Sequence, residues 1–208
     1  MNTLTDLQQS IICIAAFTAN GDIEKLKASL HQGLDSGLTI NQIKAILEQM
    51  YAYAGFPRSL NGLTAFLSVL EQRKEQGIED INGKNSTTTT EMNSLEIGTK
   101  NQTELVGQVV SGAIFDFSPE IDRFLKAHLF GDIFHNDILT WQQREIATIA
   151  GLANIQGVNA QLLAHYQISL HNGVTADQLF DFINLLSIKC GKDIADNARF
   201  TLQKIIKK

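Results

Sequence analysis

Apolar residues recur along this chain every three to four positions, with polar residues between them. Ile43, Ile46, Leu47 and Met50 share one helix face. Ile146, Ile149, Ala150 and Ala153 share a second, and Leu179, Phe182, Ile183 and Leu186 a third. That period is the signature of amphipathic helices, so the pattern predicts an all-α fold. Strand-like character is confined to "GQVVSGAIF" at 107–115, whose glycines favour a loop. The chain has two prolines, Pro57 and Pro119, so its helices are expected to run uninterrupted. The apolar run "IICIAAFTA" at 11–19 is too short to span a membrane and follows Asp6 rather than a basic segment. It reads as a buried helix.

The helical pattern occurs twice. "LTDLQQSIICIAAF" at 4–17 lies over "LTWQQREIATIAGL" at 139–152, with Leu4, Thr5, Gln8, Ile11, Ile14 and Ala15 matched by Leu139, Thr140, Gln143, Ile146, Ile149 and Ala150. After a one-residue insertion Gly21, Gly37, Thr39, Gln42, Gly55 and Asn61 meet Gly157, Gly173, Thr175, Gln178, Gly191 and Asn197. Thr5/Gln8, Thr39/Gln42, Thr140/Gln143 and Thr175/Gln178 each have the spacing of a capping box and so mark four helix starts. Gly37 and Gly173 precede two of them and suit the left-handed turn that ends a helix. The expected organisation is a first repeat over 1–78, a polar linker over 79–102 and a second repeat over 103–208. The second repeat carries an added helix at 118–134, with Ser118 as its cap and Pro119 in its first turn.

Composition narrows the partners. Seventeen basic against 22 acidic residues leave a net charge of −5, so the chain has no electrostatic attraction to nucleic acid or to an anionic membrane. The only basic cluster, Lys204 to Lys208, reads as a frayed helix tail. Cys13 and Cys190 lie in no motif, and two isolated cysteines fit a reducing, cytoplasmic setting. No nucleotide-binding loop is visible, and no HxxxH or HExxH spacing supports a metal site.

The longer motifs carry a resemblance. "IFDFSPEIDRFLKAHLFGDIF", "LTWQQREIATIAGLANIQG" and "LLAHYQISLHNGVTADQL" resemble the carboxymuconolactone decarboxylase family, and "GLTINQIKAILEQMYAYAGFPRSLN" resembles its C-terminal half. The resemblance implies a helical fold that needs no cofactor. It also implies ring-like assembly: single-repeat decarboxylases of this family form trimers of dimers, so a two-repeat chain is expected to close as a homotrimer. The alkylhydroperoxidase-like branch of the family, which bears the peroxiredoxin activity, pairs a CxxC with a histidine four residues on. Here Val158 and Gln161 occupy the thiol positions ahead of His165, which speaks against that activity.

What remains is His165, with Glu145 one helix earlier. Their counterparts in the first repeat are Ser29 and Ser10. Joint loss of imidazole and carboxylate in one copy suggests that the two work as a unit in the other. The expected catalytic residues are therefore His165 and Glu145, on a small anionic organic acid or carboxylated lactone. Arg144 is expected to hold the substrate carboxylate. His128 and Asp132, four apart on the added helix, are candidate substrate-binding residues, with Phe130 and Phe134 as pocket lining. The other repeat is expected to supply a wall of the pocket. A non-catalytic helical oligomer that binds a small ligand is the reading from another class.

Overall fold

The computed structural model describes residues 3–88 and 93–206; residues 89–92 of the expected linker, and Lys207 and Lys208 of the basic tail, lie outside it. Among the described residues there are ten α-helices and one π-helical stretch, and no strand. The helices are α1 (Asp6–Asn20), α2 (Ile23–Asp35), α3 (Ile40–Glu75), α4 (Ser94–Val106), α5 (Ala113–Phe117), α6 (Pro119–Phe124), α7 (Trp141–Ala153), α8 (Asn159–His171), α9 (Ala176–Lys189) and α10 (Lys192–Leu202). The π-helical stretch, Leu125–Ile133, continues α6. None of the described helices is long and apolar enough to cross a membrane.

The chain divides into two compact units, Met1–Lys84 with Gln142–Lys208, and Asn85–Trp141. The conserved frame of both repeats thus falls in a single unit. Helices α1 and α7 occupy corresponding places in the two repeats and are buried along almost their whole length. A helix apolar on all sides belongs at the centre of a core, and α2, α3 and α9 pack on α1.

The caps explain where the helices start. Thr5, Thr39 and Thr175 each accept from the backbone amide three residues on, while Gln8, Gln42 and Gln178 reach back to the cap amide. Helix α7 begins directly after Thr140. Gly37 and Gly173 have φ of +96° and +87°, as expected for the turns into α3 and α9. In each turn the amide three residues past the helix end returns to a carbonyl of the last turn, Leu38 to Gly33 and Val174 to Ser169, both at 2.9 Å.

Helix α3 is not uninterrupted. Gly55 has φ +82° and ψ 161°, outside the helical region, and breaks it. Pro57 falls just beyond the break, in the first turn of the resumed helix, where a missing N–H costs little. Gly191, the counterpart of Gly55, takes φ +110° and ψ 161° and separates α9 from α10.

The polar stretch expected as linker is only partly one. Ser94–Val106 form α4, capped by Asn93, whose side chain accepts from the Leu95 amide. Within the second unit this helix lies on the π-helical stretch. Gly98 approaches the Lys126 carbonyl and Gly131 the Ser94 carbonyl so closely that neither position has room for a Cβ. Asn101 Nδ2 donates to the Phe130 carbonyl at 2.9 Å. Pairing of two helical backbones therefore orders a segment whose own side chains are too polar to form a core. Phe130 and Phe134 are buried within this unit, 5.4 Å apart, rather than lining an open surface. Pro119 opens α6 as expected, but the Ser118 side chain makes no cap hydrogen bond. Ala113–Phe117, at the end of the expected loop, form the short helix α5.

The residues just past α3 are also tied down. Ile40 and Asn41 amides donate to the Ile81 and Asn82 carbonyls at 2.9 and 3.0 Å. The buried Arg73 grips Asp80 with two nitrogens, Nε on Oδ2 and Nη2 on Oδ1, each at 2.9 Å, and its Nη1 reaches Asp35 Oδ1 at 2.9 Å. The Asp80 side chain is only 9% exposed, whereas that of Asp35 is 66% exposed. Removing one member of a buried pair strands the other charge. Asp80→Ala is expected to cost about 3 kcal/mol and Asp35→Ala less than about 1 kcal/mol, both read from urea unfolding. Equal losses would contradict this division.

Candidate active site

Helix α7 brings two charged side chains into an otherwise apolar core. Arg144 and Glu145 are adjacent in sequence and only 1% and 0% exposed. An unpaired buried charge is costly, so each must find a partner. Glu145 finds His165 on α8: His165 Nδ1 lies 2.8 Å from Glu145 Oε2. This contact occupies Nδ1, and Nε2 is the ring nitrogen left for other work. The His165 side chain is 12% exposed, so the pair runs from a sealed acid to an imidazole with an edge in solvent. The second oxygen, Glu145 Oε1, is buried and takes no hydrogen bond from the described residues.

The first repeat supplies the other side of this arrangement. The Tyr53 ring, on α3, meets the His165 ring edge-on, with centroids 5.9 Å apart and planes at 84°. Thr148, one turn beyond Glu145's neighbour Arg144 on α7, donates from Oγ1 to Tyr53 Oη at 3.3 Å. The fully buried Gln49, one turn before Tyr53, donates from Nε2 to Thr148 Oγ1 and to the Arg144 carbonyl, both at 2.9 Å. Gln49 Oε1 accepts from Arg144 Nη1 at 3.0 Å. Burial pushes the Tyr53 hydroxyl well above its ordinary range, and the Glu145 charge adds to that push. Tyr53 therefore stays protonated.

The expected residues are thus placed unequally. His165 and Glu145 meet. Arg144, expected to face a substrate carboxylate, is instead buried with its Nη1 on Gln49. His128 and Asp132 belong to the second unit, where His128 Nδ1 lies 2.8 Å from Asp132 Oδ2 and Ser94 Oγ donates to Asp132 Oδ1 at 2.6 Å. Both side chains are about half exposed. Sequence reasoning missed Gln49, Tyr53 and Thr148. A wall from the other repeat was expected, but no spacing within one repeat could point to individual residues across the repeat boundary.

The first repeat has no equivalent pair. Ser10 Oγ lies 3.0 Å from Ser36 Oγ, and Ser29 Oγ donates to the Lys25 carbonyl of its own helix at 2.9 Å. The two serines that replace Glu145 and His165 each satisfy themselves locally.

A family model decides the kinship. The model described as "Carboxymuconolactone decarboxylase family" matches residues 2–67 and 119–203. The chain belongs to the carboxymuconolactone decarboxylase family. The two matched segments fit a member with two tandem repeats, and the all-helical fold agrees. No curated protein matches the chain. Decarboxylase-like and alkylhydroperoxidase-like members both lie within this family, so membership alone does not select an activity.

The thiols help to separate the two. Cys13 and Cys190 are free. Burial pushes the Cys13 thiol up to about 11; Lys189 opposes the shift and Cys190 adds to it. Cys190 is also raised, chiefly by burial, against a hydrogen bond from Asn154. Thiols held above their ordinary range carry little thiolate at neutral pH and are poor nucleophiles. Because the folded chain keeps Cys13 protonated up to about 11, against an ordinary 9.0, it binds more protons than the unfolded chain in that window. The stabilisation is complete below about pH 9 and is lost as pH rises toward 11, with a slope of at most about 1.4 kcal/mol per pH unit. Urea unfolding of the parent and of Cys13→Ala between pH 8 and about 11 is expected to show a steeper decline in the parent; parallel curves would place the thiol in a more polar setting than this one.

Proposed function

We propose that the chain is a cofactor-independent lyase that decarboxylates a small carboxylated lactone or related organic-acid anion. The observation that carries the proposal is the Glu145–His165 pair, in which a fully buried carboxylate holds an imidazole that reaches solvent.

The chemistry needs little more. In a lactone whose carbonyl is conjugated with the departing group, the C–C bond to the carboxylate breaks and carbon dioxide leaves. The electron pair moves onto the carbonyl oxygen as an enolate, and a proton then returns to carbon. The protein must stabilise the oxyanion and deliver the proton. Donors aimed at such an oxyanion are each worth about 3 kcal/mol by mutagenesis. In this proposal His165 is the proton donor or oxyanion partner through Nε2, and Glu145 fixes the ring and its tautomer. Arg144 is not assigned to the substrate, because its guanidinium is engaged inside the core. Nor are His128 and Asp132, which satisfy one another and Ser94.

Two other readings have less support. A thiol peroxidase of the alkylhydroperoxidase type needs a thiolate near the imidazole, and Val158 and Gln161 stand at those positions. A purely ligand-binding scaffold would be better served by a carboxylate fully neutralised by packing, whereas one oxygen of Glu145 takes no hydrogen bond from the described residues.

The proposed assembly is a homotrimer in a reducing, cytoplasmic setting. Support comes from the second half of α3, where Phe56, Leu60 and Leu67 are exposed at spacings of four and seven residues. An apolar stripe of that spacing suits burial against another helix.

The test combines activity with assembly. Carbon dioxide release from a panel of carboxylated five-membered lactones identifies a substrate. His165→Ala is then expected to lower kcat by about 100-fold or more. Light scattering is expected to give both proteins a mass three times the 23.0 kDa of the chain. Turnover near the parent rate in an intact His165→Ala oligomer removes His165 from the chemistry.

A further inference from the structure

One chain of side-chain hydrogen bonds behind the Glu145–His165 pair runs in a single direction. Arg144 Nη1 donates to Gln49 Oε1, Gln49 Nε2 donates to Thr148 Oγ1, and Thr148 Oγ1 donates to Tyr53 Oη. Arginine never accepts, so the direction is set at the head of the chain. Each hydroxyl that accepts is polarised to donate more strongly, and chained hydrogen bonds strengthen one another in a low-dielectric interior. The chain ends at Tyr53. Its oxygen accepts from Thr148, and its proton goes to no acceptor among the described residues.

The carboxylate whose charge acts on that hydroxyl does not take its proton. Glu145 sits close enough for its charge to act on the Tyr53 hydroxyl, yet Glu145 Oε1 is buried and receives no hydrogen bond. An unspent donor and an unspent acceptor thus flank the ring of His165, which Tyr53 meets edge-on. Purely structural networks close on themselves, because a buried polar group left unmet costs stability. This one stays open at Arg144 Nε, at Glu145 Oε1 and at the Tyr53 hydroxyl, whose ring meets that of His165.

We propose that Tyr53, contributed by the first repeat, donates the hydrogen bond that receives the substrate's oxyanion beside His165, and that Arg144, Gln49 and Thr148 are positioning residues that aim its proton. The inference rests on the lyase reading of the Glu145–His165 pair and adds to it a division of labour. Tyr53 binds the oxygen on which charge accumulates, and His165 Nε2 handles the proton that returns to carbon. Tyr53 keeps its own proton throughout, so no net transfer along the chain is needed. Arg144 thereby has a use for its charge without touching a ligand.

The test uses the full-length protein and 2-furoate, a five-membered oxygen ring bearing a carboxylate. Binding is followed by the ring resonances of His165, assigned by their absence in His165→Ala. Tyr53→Phe is expected to weaken 2-furoate roughly tenfold or more, the usual scale for a hydrogen bond to a charged group. Thr148→Val, which leaves the Tyr53 hydroxyl in place but removes its donor, is expected to give a smaller loss. Tyr51→Phe is the control and is expected to bind as the parent does. Should Tyr53→Phe fold poorly, 3-fluorotyrosine at position 53 gives a direct reading, its fluorine signal moving on addition of 2-furoate.

Affinity of Tyr53→Phe within about twofold of the parent, or an unmoved fluorine signal while His165 responds, overturns the role of Tyr53 and leaves His165 as a ligand site. If millimolar 2-furoate moves no His165 resonance in the parent, the lyase reading fails together with the inference built on it. Equal losses in Tyr53→Phe and Thr148→Val overturn the graded relay, because the hydroxyl would then matter only as a packing link.

Discussion

Two charges of opposite sign, adjacent on one helix and both sealed from water, set the terms for the rest of this molecule. Arg144 and Glu145 sit on α7, whose other buried residues are almost all apolar. Taking each charge out of water costs several kcal/mol unless partners replace the lost hydration. Neighbours in sequence point to different sides of a helix, so the two cannot simply neutralise each other. Arg144 is met by Gln49 from the first repeat and Glu145 by His165 from the second. The core therefore holds together across the repeat boundary by satisfying polar groups as well as by burying apolar ones. The same requirement fixes the imidazole where an edge of it meets solvent.

This origin explains which parts of the site were legible in the sequence. Glu145 and His165 stood out because their counterparts are serines, a contrast that needs only the internal alignment. The helices and their caps were legible for a similar reason: Thr-x-x-Gln is a local device, readable within four residues. The break at Gly55 was not, because glycine is tolerated inside many helices and only the backbone reveals the non-helical ψ of 161°. Helix α4 was hidden by its composition. Its order comes from the close approach of Gly98 to the backbone of the π-helical stretch and of Gly131, on that stretch, to the backbone of α4, and one glycine in a polar stretch carries no periodicity to detect. Arg144 was read as a ligand-facing guanidinium because a sequence does not show burial. Tyr53, Gln49 and Thr148 were invisible because their links span 95 and 99 residues.

The internal alignment, extended to those three residues, shows how the copies have diverged. Thr148 corresponds to Cys13, Tyr53 to Lys189, Gln49 to Leu185 and Arg144 to Gln9. The corresponding neighbourhood persists, since Lys189 acts on the Cys13 thiol as the Tyr53 hydroxyl meets Thr148. Each site position is thus assembled from the first two helices of one repeat and the third helix of the other. In the degenerate copy a leucine stands where Gln49 would relay a hydrogen bond, and no carboxylate is buried.

That exchange of helices limits how the two repeats can drift. Loss of Ser10 or Ser29 as polar residues would touch only the dismantled site, whereas α3 of the same repeat serves the intact one through Gln49 and Tyr53. The first repeat thus lacks the carboxylate and imidazole on α1 and α2 but supplies Gln49 and Tyr53 from α3, and the second repeat has the reverse pattern, with the pair on α7 and α8 and neither counterpart on α9. A free thiol at Cys13 and a lysine at position 189 are what such release permits, because neither group has to complete a hydrogen-bonded chain. The fold keeps two halves of corresponding helices, while the carboxylate–imidazole pair is present on one side only, where the buried carboxylate still needs its imidazole.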